Sequence, residues 1–187
     1  MIIYLDMDGV LADFDKFALD TLNKKFTNIK PYKENERWED LHWNTIKNTP
    51  HLYRNLPKTP FADTIVNLAR KFKTNLHWDL YILTAVPKNN DVPDAFQDKI
   101  EWIQQYYPDI PVRFGPYSKD KQNHAKPNYI LVDDRTSNCQ EWKTRGGISI
   151  QVTENYHTAI QSLEFYYDYF LKENLLDLEY TTKNSPP

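Results

Sequence analysis

Asp6 and Asp8 stand one residue apart directly after the short apolar run Ile2-Ile3-Tyr4-Leu5. Asp133 and Asp134 follow a second such run, Tyr129-Ile130-Leu131-Val132, and Thr84 closes a third, Leu80-Tyr81-Ile82-Leu83. Phosphoryl transfer to a protein nucleophile needs an unprotonated oxygen in line with phosphorus, a proton donor for the leaving oxygen, and cations to offset the phosphate charge. The chain offers a candidate for each. Of Asp6 and Asp8, one would attack and the other would move protons, with Gly9 letting the backbone turn sharply behind them. A carboxylate repels a phosphate dianion unless a divalent cation lies between them, and clustered Asp oxygens are the hard ligands that suit Mg²⁺. Thr84 would donate a hydrogen bond to a phosphoryl oxygen, and a lysine near residue 121 would add fixed positive charge.

These groups meet only if three strand ends lie side by side, so the elements must supply that. Each apolar run is rich in β-branched and aromatic residues and ends abruptly in polar ones, as a buried parallel strand does at its C-terminal end. Open α/β sheets bind ligands at that end. A fourth strand is expected at Ile148-Ser149-Ile150-Gln151-Val152. Helical spacing runs from Phe61 to Phe72, with Ile65, Leu68, Ala69 and Phe72 on one face, and from Ala95 to Tyr107, with Phe96, Ile100, Ile103 and Tyr107 on one face. Alternation of strands and helices predicts a three-layer, Rossmann-like parallel sheet. Between the first strand and Phe61 no strand is legible, only helical spacing over Asp13 to Phe26 and Trp38 to Lys47. Residues 14–61 are therefore expected to form a small inserted helical cap, with the core made of 1–13 and 62–187. His157 to Lys172 reads as an amphipathic helix carrying Ile160, Leu163, Phe165, Tyr167 and Phe170, and a frayed tail is expected from Thr181 to Pro187.

A chain of 187 residues can bury one substantial core. A net charge of −3 gives no general attraction to polyanions, so extended nucleic acid is not an expected partner. The lone Cys139 cannot form an internal disulfide and, without a recognisable His/Asn partner set, is read as a structural thiol. With no apolar stretch near the ~18 residues that a membrane span needs, a cytoplasmic protein is expected.

The set Asp6-Met7-Asp8-Gly9-Val10-Leu11, Leu83-Thr84, Lys121 and Leu131-Val132-Asp133-Asp134-Arg135 resembles the haloacid dehalogenase superfamily. "DMDGVLADF" over Asp6 to Phe14 and "LVDDR" are similar to its 5'(3')-deoxyribonucleotidase branch, and the order of elements agrees over residues 1 to about 152. Phe61-Ala62 before one helix and Lys99 and Trp102 in the next belong to that agreement. The resemblance implies that Asp6 is the nucleophile, that Asp8 is the general acid/base and also lends a backbone carbonyl to Mg²⁺, and that Asp6 and Asp134 are metal ligands, with Asp133 the alternative to Asp134. It implies a small nucleotide as substrate and is compatible with a homodimer. Among Lys119, Lys121 and Lys126, Lys121 is favoured because it follows an acidic residue as the family's lysine does. The sequence departs from the family at Thr84-Ala85-Val86-Pro87-Lys88, where Thr-Ser-Pro is common. The lost Ser hydroxyl leaves Lys88 and backbone N–H groups such as that of Ala85 to compensate.

In the cap, Tyr32, Trp38, Trp43, Leu52 and Tyr53 join Phe14 as an aromatic-rich set, and aromatic faces stack on bases. Most such rings would form the cap's own core. One or two base contacts are expected from Phe14, Trp38, Trp43 and Tyr53. Arg135 reads as a structural charge partner, and Thr84 gains its role only from the company it keeps. Two other functions are weighed. Removal of a terminal phosphate from a nucleic-acid strand would draw on Arg113, Lys119, Lys121 and Lys126, whereas a non-catalytic nucleotide-binding protein would have no need of the combined acidic set.

Overall fold

Ile2–Leu5 forms strand β1, with all four side chains buried. Ile3 and Leu5 enter one core while Ile2 and Tyr4 enter a second. A strand covered on both faces needs this unbroken apolar run. The computed structural model describes residues 1–30, 38–88 and 91–183, with side chains through residue 176. Tyr32, one of the expected cap aromatics, lies outside the described residues.

The strands that follow are β2 (Asp79–Thr84), β3 (Val112–Phe114), β4 (Ile130–Asp133) and β5 (Ile148–Gln151). They form one five-stranded sheet in the order β3-β2-β1-β4-β5, parallel at every pairing. β1 is central, and Leu5 is level with Ile82 of β2 and Val132 of β4. Asp6, Thr84 and the Asp133-Asp134 pair therefore emerge together where the strand order reverses, the switch point at which such sheets bind ligands.

Helix α1 spans Phe14–Asn23, α2 Asp40–Lys47, α3 Ala62–Leu76, α4 Ala95–Tyr106, α5 Thr136–Thr144 and α6 Tyr156–Lys183. A 3-10 segment runs from Ser118 to His124. The larger core joins α3, α4 and α6 to Ile3, Leu5, Ile82 and Val132, while Trp142 of α5 packs on Tyr4 and Leu131 across the sheet. This is the expected three-layer architecture. The chain segments Leu11–Asp13 and Pro57–Thr59, which flank α1 and α2, are stitched together. Asp13 N donates to Pro57 O at 2.8 Å, and Thr59 N donates to Leu11 O at 2.9 Å.

Several expectations need correction. Neither β3 nor α5 was legible. β3 is a three-residue, half-buried edge strand with a central Arg113, and α5 is short and polar. On α4 the buried face holds Ala95, Asp98, Lys99, Trp102 and Ile103, whereas Phe96 is 53% exposed. The apolar periodicity placed Ile103 and Tyr107 correctly but misplaced Phe96, because the helix turns two charged residues inward, each held by an ion pair. Phe165 of α6 is likewise exposed, with Ala159, Leu163 and Phe170 facing the core. The helix runs on to Lys183, past the point at which fraying was expected.

Candidate active site

Asp6 leaves β1 still bound to the sheet, its N–H donating to Val132 O at 2.9 Å. Its Oδ1 accepts from Met7 N at 2.7 Å, and its Oδ2 lies 2.7 Å from Lys121 Nζ. Lys121, in the 3-10 segment, is buried and reaches Asp133 Oδ2 at the same 2.7 Å. Asp133 is saturated: besides Lys121, Asn138 Nδ2 donates to both of its oxygens, at 2.9 and 3.0 Å, and Arg135 N donates to Oδ1 at 2.9 Å. Asp134 instead lines the open cleft.

Burial pushes the Asp6 carboxyl well above its usual range. Lys121 opposes this, while Asp133, Asp134 and Asp8 add to it. Burial also works against the Lys121 ammonium, but Asp6 and Asp133 overcome that and hold its pKa above the ordinary lysine value. Asp134 is pushed up to about 7, first by burial and then by Asp133. One ammonium thus sits among three carboxylates, each with an oxygen within 4.8 Å of the others'. Hard oxygen donors with too little positive charge between them fit a divalent cation such as Mg²⁺.

On the other side of Asp6, Asp8 is held by α4. Lys99 Nζ, fully buried, pairs with Asp8 Oδ2 and donates to Thr84 Oγ1 at 3.0 Å, and it lies 4.3 Å from the centroid of the Tyr53 ring. Burial, and after it Asp8, raises the Tyr53 phenol, so that hydroxyl stays protonated. Over the carboxylates opens a cleft of about 940 Å³ whose wall includes Phe14, Trp43, Tyr53, Ala85 and Lys88. Phe14 stacks on Tyr53 with ring centroids 6.2 Å apart, and Phe61 stacks on Tyr156 at 4.1 Å on another part of the wall.

A family model described as 5' nucleotidase, deoxy (pyrimidine), cytosolic type C protein matches residues 1–168. The chain belongs to this family. Its members are phosphoric monoester hydrolases. A Staphylococcus epidermidis RP62A protein, provisionally named as a 5'(3')-deoxyribonucleotidase, is 35% identical over 141 residues, covering 71% of this chain and 73% of its own. Proteins provisionally given the same name are 28% identical in Staphylococcus aureus MSSA476, over 71% of this chain and 73% of theirs, and 28% identical in Vibrio phage KVP40, over 73% and 68%.

In this nucleotidase chain the structure gathers Asp6, Asp8, Thr84, Lys121 and Asp134 at one sheet edge. Among the three lysine candidates, Lys121 makes the contact with Asp6. Thr84 is wholly buried behind the cleft with its hydroxyl engaged by Lys99. Trp38 is not on the cleft wall; it packs behind Trp43, ring centroids 5.3 Å apart, as part of the larger core. The basic run does not form one patch, since Lys121 is buried in the site while Arg113 stacks 3.6 Å over Tyr81 and donates to Tyr4 OH at 2.9 Å. Asn138, which fixes Asp133, went unread because a helical Asn carries no signal by itself. Lys99 belongs to the sequence resemblance, but a lysine in a helix does not by itself point to a buried ion pair.

Gly9 has a specific reason to be glycine. Its φ is +75°, and a Cβ there would collide with the Asp134 carboxylate. Gly9→Ala is expected to cost about 1–2 kcal/mol from the left-handed backbone alone. It should also displace Asp134; if the carboxylate cluster holds Mg²⁺, a Mg²⁺ titration of activity should shift to higher metal. An unchanged titration would remove the link between Gly9 and a cation at that cluster.

Among the described residues, no helix is long and apolar enough to cross a membrane.

Proposed function

We propose that the chain is a Mg²⁺-dependent phosphatase that hydrolyses deoxyribonucleoside monophosphates through an aspartyl-phosphate on Asp6, with residues 14–61 serving as a cap over the base. The supporting observation is the Asp6 carboxylate, 2.7 Å from the buried Lys121, under a cleft whose wall also carries Phe14, Trp43 and Tyr53. An Asp6 oxygen bonds to phosphorus as the bond from phosphorus to the nucleoside oxygen breaks, and Asp8 gives its proton to that oxygen. After the nucleoside leaves, water attacks phosphorus, Asp8 takes the water's proton, and the bond from Asp6 to phosphorus breaks to release phosphate. Lys121 and Thr84 hold the phosphoryl oxygens, with Lys88 and the Ala85 N–H at the cleft side. Asp6, Asp134 and the Asp8 carbonyl would hold Mg²⁺, which would supply the charge that lets a carboxylate meet a phosphate dianion.

A panel of nucleoside monophosphates assayed for released phosphate tests this. Deoxyribonucleoside monophosphates should be cleaved, EDTA should stop the reaction and Mg²⁺ should restore it. Stacking on the cleft aromatics, worth ~1–3 kcal/mol per base, should favour nucleotides over sugar phosphates by roughly five- to hundred-fold. Equal rates on both classes would overturn the cap assignment.

The aromatic residues should separate by position. Phe14→Ala and Trp43→Ala, on the cleft wall, should erode the preference for nucleotides while sparing a small alkyl phosphate. Trp38→Ala, buried behind them, should instead lower stability by about 3–5 kcal/mol, read as a lower melting temperature. A loss of nucleotide preference in Trp38→Ala at unchanged stability would reverse that assignment.

A further inference from the structure

Lys99 is a fully buried ammonium that the steps above do not use, and it touches two residues that they do. Its Nζ pairs with Asp8 Oδ2 and donates to Thr84 Oγ1 at 3.0 Å. An ammonium has three donors and no acceptor, so at this contact the Thr84 oxygen can only accept. The single hydroxyl hydrogen of Thr84 is thereby left for another partner. Asp8 is divided in the same way. Its Oδ2 is taken by Lys99, whereas its buried Oδ1 has no hydrogen-bond partner among the described residues.

Lys99 is itself held from the insertion. Its neighbour Asp98, also fully buried, lies 3.2 Å from Arg54 Nη2 and 3.1 Å from His51 Nδ1. Trp102, one turn on, donates to Leu56 O at 2.7 Å. These contacts fix α4 against residues 51–56, so the lysine stem enters the site from a braced backbone.

We propose that Lys99 is a positioning residue that leaves Oδ1 of Asp8 as the oxygen that moves the proton. The proposal rests on the phosphatase reading and adds to it a group that touches neither substrate nor metal. It makes the orientation of the proton carrier depend on one buried charge.

Leaving-group dependence provides the test, using full-length Lys99→Met and Lys99→Gln. A deoxynucleoside must be protonated as it departs, whereas p-nitrophenolate departs without a proton. Lys99→Met should lower kcat on deoxyribonucleoside monophosphates by about 10²–10⁴-fold, the range that a positioned proton carrier supplies, with KM within a few-fold of wild type. On p-nitrophenyl phosphate the same variant should show a rapid burst of nitrophenolate followed by slow turnover, because only the water step still needs Asp8. Lys99→Gln, which keeps an N–H donor, should recover part of the loss. Equal slowing of the first step on both substrates, or a raised KM with unchanged kcat, would overturn the proposal. So would failure of both variants to give a cooperative melt, which would make Lys99 a structural residue. If the wild type turned over neither substrate, the phosphatase reading would fall, and the proposal with it.

Discussion

On the covalent mechanism proposed above, Asp6→Asn is expected to lower turnover by on the order of 10⁴-fold or more, since removal of the nucleophile would leave only binding and electrostatic stabilisation. The amide keeps the size of the side chain and removes the charge that attacks phosphorus. Loss of activity through misfolding can be told apart, because the physical setting predicts no large loss of stability. Ionised Asp6 is disfavoured by burial and by three neighbouring carboxylates. Lys121 keeps its 2.7 Å contact with Asp133 when Asp6 is neutral. In EDTA the variant should therefore melt within a few degrees of wild type, or above it, as expected where an active site stores unfavourable charge for function. Near-wild-type turnover in Asp6→Asn would sink the covalent mechanism. Asp8→Asn should lose about 10²–10⁴-fold, the contribution typical of general acid–base transfer.

The parts of this site that were legible in the sequence are those where one strong pattern dictates position. β1, β2 and β4 are continuous apolar runs, and a buried parallel strand has few other ways to be written. Each run ends in or just before a candidate site residue, so the convergence of Asp6, Thr84 and the Asp133-Asp134 pair followed from the sheet alone. What stayed hidden depended on tertiary contacts that leave no local period. The α4 face was partly misread because Phe96 and Ile100 look like core residues while Asp98 and Lys99 look like surface, yet the helix buries the charged pair against Arg54 and Asp8. Trp38 and Trp43 are chemically alike in the sequence, and only packing puts one on the cleft wall and the other behind it. β3 contributes three residues and a central arginine, too little for alternation to register.

The adjacent aspartates after β4 should answer differently to the same substitution. Residues one apart at a strand end point in different directions, so they cannot serve a cation equally. Asp133 is fully buried and both of its oxygens are spent, on Lys121, Asn138 and Arg135 N. Asp133→Ala would leave the Lys121 ammonium with Asp6 as its only carboxylate contact among the described residues and orphan the Asn138 amide nitrogen, while the amide oxygen kept its bond from Ser118. Removing one partner from a buried ion pair costs about 3–5 kcal/mol. That variant should melt markedly lower and stay nearly inactive at any Mg²⁺ concentration, because Lys121, proposed above to hold the phosphoryl oxygens, would lose its anchor. Asp134 faces the cleft, and its carboxyl is raised to about 7 by burial and by Asp133, so a cation is what would favour its charged form. Asp134→Ala should keep the wild-type melting temperature in EDTA or exceed it. It should need at least ten- to hundred-fold more Mg²⁺, since even groups outside a metal's own ligands are worth about that much in affinity. Recovery at high Mg²⁺ in Asp134→Ala but not in Asp133→Ala separates a ligand from a scaffold. Equal metal dependence in the two variants, with equal melting temperatures, would mean that the carboxylates share the cation and that the division between them is wrong.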